Sequence, residues 1–79
     1  MTPYANLRGN SGIASFDIGD ESISVAFLDG VEYLYTYRSA GREAVERMKE
    51  LAKAGEGLST FIAAHVKKRF ARRLNHSGS

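Results

Sequence analysis

The chain has no cysteine, and no acidic residue after Glu56. Without cysteine there is no disulfide framework, no thiolate metal site and no cysteine nucleophile. A cytoplasmic setting is the expectation that follows. No apolar run approaches the roughly 20 residues that cross a bilayer, so no membrane partner is expected. The opening stretch MTPYANLRGN lacks the apolar segment of a signal peptide. Asn75-His76-Ser77 fits a glycosylation pattern, and without a secretion signal it reads as a chance match. Repeats and low-complexity tracts are missing as well.

What is present suits one small folded domain. The 79 residues are 43 % hydrophobic and 25 % charged, unlike a disordered chain. The net charge is only +2, but it is unevenly spread. Residues 1–37 carry a net −4, residues 38–57 a net +1, and residues 58–79 a net +5. Such asymmetry bears on partners and association rather than on fold.

Three strands are predicted: Ile13–Ile18, Ser22–Leu28 and Val31–Arg38. In the second, Ile23, Val25 and Phe27 alternate with Ser22, Ser24 and Ala26. In the third, Val31, Tyr33, Tyr35 and Tyr37 alternate with Glu32, Leu34, Thr36 and Arg38. Period-two alternation marks strands with one buried face. A three-residue loop, Leu28-Asp29-Gly30, sets Val25 opposite Tyr33 and Phe27 opposite Val31. A two-residue Asp-Gly turn would instead split the apolar side chains between faces, so the longer loop is preferred.

Two helices should follow. Ser39 is the predicted N-cap of the first, which runs to Ala54 with Val45, Met48, Leu51 and Ala52 on one face. Glu43 with Arg47, and Glu46 with Lys49, would pair on its wet side. Gly55 ends it, taking the left-handed conformation without a Cβ penalty. The second starts at Gly57 or Ser59 and runs to Leu74, with Leu58, Ile62, Val66 and Phe70 recurring at four-residue spacing and Phe61 beside them. The predicted class is α+β: a three-stranded antiparallel meander followed by two helices packed on one face. Residues 1–10 and 75–79 are expected to be flexible ends of this single domain.

In this order the motifs resemble those of the KTSC domain family. That family occurs at the C-terminus of some lysyl-tRNA synthetases and as small stand-alone bacterial and phage proteins. Phe27, Gly30, Tyr33 and Tyr35 match its Phe-x-x-Gly hairpin and Tyr-x-Tyr. Phe61, His65, Lys67, Arg69 and Phe70 match its closing motif, with Val66 in place of Ile. The likeness spans residues 11–70. Departures are Arg38-Ser39-Ala40 where the family has Val-Pro, Gly57-Leu58-Ser59 for Ser-x-Gly, Ile62 for the second aromatic, and Ala63 for Asn. The resemblance implies contact with RNA, by analogy rather than by a site.

The candidate site is AHVKKRFARRL, residues 64–74. Lys67, Lys68, Arg69, Arg72 and Arg73, with Arg38 alongside, would bind the phosphates of a nucleic acid, RNA for preference. On a helical wheel Arg69 and Arg73 fall within the apolar sector, so the helix is expected to outrun the domain near Arg69 and project a basic cylinder. The competing reading is a solvated helix end, where cations offset the macrodipole by roughly 0.3–1 kcal/mol each. His65 and Tyr37 are a possible polar or stacking site, with His65 expected to hydrogen-bond near the sheet edge. Metal binding would need further ligands near His65, and catalysis a second reacting group beside it. The chain is therefore expected to be non-enzymatic, without cofactor or metal. The alternative function is a protein-interaction module that binds and inhibits a host complex, its charged surfaces meeting complementary ones.

Overall fold

A computed structural model describes residues 2–7, 9 and 11–75, the side chain of Asn75 excepted. The fold is α+β, built on a five-stranded antiparallel sheet in the order β1-β2-β3-β4-β5. The strands are β1 (Thr2–Pro3), β2 (Ile13–Ile18), β3 (Ser22–Phe27), β4 (Val31–Thr36) and β5 (Arg72–Asn75). Between β4 and β5 lie α1 (Tyr37–Ala40), α2 (Arg42–Ala54) and α3 (Leu58–Phe61), which continues as a π-helical turn over Ile62–Val66. The helices thus lie inside the run of strands and not after it. This corrects the expected meander-then-helices order.

The central hairpin forms in the apolar-gathering register, with Val25 opposite Tyr33 and Ile23 opposite Tyr35. Gly30 closes its turn at φ 92° and donates its N–H to the Phe27 carbonyl (3.1 Å). Asp29 Oδ1 accepts the N–H of Val31 at 3.0 Å and fixes the far side of the loop. In β2 the register shifts between Ile13 and Ser15. This bulge lets Ile13 and Phe16 both face the core despite their three-residue spacing.

Helix α2 follows its pattern: Val45, Met48 and Ala52 are buried, and Gly55 terminates it at φ 80°. Its start differs. Ser39 is not the cap. Thr36 caps α1, accepting the Ser39 N–H at 3.0 Å, while the Ser39 hydroxyl accepts the Thr36 N–H at 3.0 Å. The third strand therefore ends at Thr36, and Tyr37 and Arg38 are helical. Arg47 pairs with Glu50 (3.6 Å) instead of Glu43. Lys49 pairs with Glu46 at 2.8 Å as predicted, but not on the wet side. Lys49 is buried, and its Nζ also donates to the Asp20 carbonyl at 3.1 Å, tying α2 to the β2–β3 turn.

The first residues also enter the fold. Thr2 and Pro3 pair with Phe16 and Ser15. Tyr4 is buried, and its hydroxyl accepts the Leu58 N–H at 3.3 Å. One apolar layer results, with Ile13, Phe16, Ile23, Val25 and Tyr35 of the sheet against Val45, Met48, Leu58, Ile62 and Val66 of the helices. The opposite sheet face carries Ser22, Ser24, Ala26, Glu32, Leu34 and Thr36 and, among the described residues, no helix. Residues 76–79 of the expected flexible tail lie outside the described residues.

Candidate nucleic-acid interface

The basic segment is not a helix. After Val66 the chain turns, and the Arg69 N–H donates to the Val66 carbonyl at 2.7 Å. Lys67 and Lys68 sit in this turn, and Arg69 leaves it. Phe70 packs partly buried against the core, so the apolar position foreseen at 70 is filled, though not by a helical residue. The Ala71 N–H then donates to the Leu34 carbonyl at 2.7 Å, and Arg72 enters β5. The expected basic cylinder is replaced by a basic turn followed by a basic edge strand. The reason lies in Arg69 and Arg73: a continued helix would have placed both charges on its apolar face, whereas the turn and the strand after it leave both exposed.

The β4–β5 register decides which cations meet. Arg73 is opposite Tyr33 and Arg72 is opposite Leu34. Directly opposed residues share a sheet face, and neighbours along a strand take opposite faces. Arg73 therefore lies on the helix-covered face beside Tyr33, and Arg72 on the helix-free face beside Leu34. Lys67 reaches the same neighbourhood from the other side. Together with Tyr33, Phe27, Tyr35, Ile62 and Ala63 it lines a groove of about 280 Å³, with Asp29 and Ser59 also on its wall. Phe70 lies against the Tyr33 ring, centroids 4.8 Å apart at 47°. Phe27 meets Tyr33 edge-on at 5.7 Å and 83°.

Of the predicted cations, Lys67 thus lines the groove at Tyr33, and Arg73 stands opposite Tyr33 in the edge strand β5. Lys68 adjoins Lys67 in the turn, and Arg69 follows it. All four are exposed, and none has an ion-pair partner among the described residues. Arg72 is also exposed but on the other face. Arg38 stands in α1, beyond the end of β4, outside the groove.

His65 and Tyr37 do not form one site. His65 is exposed on the π-helical turn, its ring 4.6 Å from that of Phe61. It lines a separate groove with Arg47, Leu51, Thr60 and Ala64, and no hydrogen bond ties it to a tyrosine. Tyr37 donates its hydroxyl to Glu46 Oε2 at 2.6 Å, and Lys49 Nζ lies 5.6 Å from its ring centroid. Its hydroxyl is thereby engaged, with Lys49 near its ring. The bond to the Glu46 carboxylate, then burial, raise the Tyr37 pKa. Hydrogen bonds from Lys49 and Tyr37 lower that of Glu46.

Tyr35, which sequence reading assigned to the core, is buried, and burial followed by the neighbouring Tyr33 pushes its pKa up to about 12. Tyr33 is only partly buried, and sequence reading did not show which residues pack beside it. Alternation placed it correctly on the core face, but its neighbours on the edge side come from residues 67–73. Among the described residues no cluster of three or more His, Asp or Glu could hold a metal, and no helix is long and apolar enough to cross a membrane. Comparison of the chain with protein-family models, curated proteins and solved structures gives no match.

Proposed function

We propose that the protein binds nucleic acid, RNA for preference, through the phosphate backbone, using Lys67, Lys68, Arg69 and Arg73. The observation that carries this reading is that Lys67 lines the groove at Tyr33 while Arg73 stands opposite Tyr33 in the edge strand β5. Exposed cations without ion-pair partners bind phosphate by releasing condensed counterions, whatever the base sequence. Aromatic rings interleaved with them are the usual companion of single-strand contacts. Arg72 and Arg38 lie elsewhere and contribute only long-range attraction. The reading rests on this surface; the motif resemblance to the KTSC family agrees with it, but no family-model match accompanies it. The role is one of binding, without catalysis or cofactor, in a cytoplasmic setting.

The test is fluorescence anisotropy with short RNA and DNA, single- and double-stranded, at low salt. A Lys67→Ala/Arg73→Ala variant should bind several-fold more weakly than wild type. An Arg38→Ala/Arg72→Ala variant removes the same charge and should lose less. Equal losses would point to net charge alone, and no binding by wild type would end the proposal.

A second reading has its own observation. β5 closes one side of the sheet order and presents an outer edge. An extended acidic segment of a partner protein could add to that edge, with Arg72 and Arg73 supplying charge complementarity. A partner captured equally well after nuclease treatment, and displaced by an Arg73→Pro substitution, would favour it.

A further inference from the structure

The groove beside Tyr33 has features that phosphate binding does not use. Its lining is largely aromatic and aliphatic, with Phe27, Tyr33, Tyr35 and Ile62, while Lys67 and Asp29 supply opposite charges. Ala63, exposed on the π-helical turn, leaves space there that a larger side chain would fill. π-Helical turns accommodate an extra residue and recur at functional sites. At about 280 Å³ the groove lies just under the roughly 300–1,000 Å³ of small-molecule pockets. It therefore suits one planar ring system better than an extended ligand. Asp29 is held in place by the Val31 N–H. Its carboxylate repels phosphate, whereas Lys67 attracts it.

We infer that this groove receives one unpaired base of a single-stranded nucleic acid, stacked in the aromatic cluster around Tyr33, with the adjoining phosphate on the Lys67 side and away from Asp29. The inference rests on the phosphate-binding reading above and adds the selection of single strands. A base in a duplex is covered on both faces and cannot enter, so the groove favours unpaired strands where the cations alone would not. Base-on-aromatic stacking is tolerant of sequence because every base has a π face.

The experiment compares two labelled single strands of equal length and charge, one with bases and one abasic, binding to the full chain at low salt. Stacking of one base should make the base-bearing strand bind roughly 5- to 150-fold tighter. An Ala63→Leu variant, with every charge intact, should narrow that gap while the salt dependence stays as in wild type. Its folding is checked by circular dichroism; if it does not fold, the comparison of the two strands on wild type decides alone. Equal affinity for both strands, with salt-dependent binding retained, would overturn the base site and leave the phosphate reading standing. Lack of binding to either strand would overturn both.

Discussion

Single residues in this fold carry distinct loads. Ile23 is fully buried between β2 and β4, so Ile23→Ala should cost roughly 2–5 kcal/mol, read as a lowered urea midpoint. Gly55 shows a backbone constraint. It sits at φ 80°, and a Cβ there would lie 2.6 Å from the Cβ of Ala5. Gly55→Ala should therefore destabilise by more than about 1 kcal/mol in the same assay. Titration adds a pH window. The lowered pKa of Glu46 stabilises the fold above the ordinary carboxylate value, and that contribution is lost as the pH falls through the folded value. Tyr35 works in the opposite direction. Its pKa is raised from 10.0 to about 12, so its contribution is intact below pH 10 and is lost as the pH rises towards 12. The raised pKa values of Lys49 and Tyr37 act the same way. Urea midpoints measured against pH should show a plateau that falls at both ends, and Tyr35→Phe should soften the alkaline fall.

At the level of elements, β5 is the feature that separates structure from sequence pattern. Backbone chemical shifts of residues 72–75 should be strand-like and those of 67–71 non-helical; helical shifts continuing to Leu74 would contradict the fold. The three long strands, the hairpin register and the α2 stop at Gly55 were legible because each is written locally, in alternation, in a turn glycine or in a cap. β5 was not. Leu58, Ile62, Val66 and Phe70 keep helical spacing across the break, and neither Gly nor Pro marks a stop near Lys67. The decisive contacts are long-range, since Tyr33 and Leu34 take Arg73 and Arg72 as edge partners. A hint was available nonetheless. A helix continued through Arg69 and Arg73 would have set charge into its own apolar face. The short β1 was illegible for the same reason, as two residues carry no period. Of the candidate site, the cations were readable from composition, but their division between two sheet faces depends on a register that sequence does not carry.

Across the whole molecule, charge asymmetry becomes geometry. Residues 67–74, which hold the five cations of the C-terminal segment, do not project away from the domain. They fold back along one side of the sheet as a turn and an edge strand. Positive residues on an edge strand also discourage edge-to-edge pairing of copies, and phosphate binding is compatible with that service. The two roles separate experimentally, because protection of an edge needs no ligand. The most direct test is the salt dependence of affinity for a short single-stranded RNA. If Lys67, Lys68, Arg69 and Arg73 engage three or four phosphates, log K should fall against log salt with a slope of roughly −2 to −3, at about −0.7 per phosphate. In the Lys67→Ala/Arg73→Ala variant the slope should flatten by about 1.4. A wild-type slope near zero, or one that the double substitution leaves unchanged, would contradict the account.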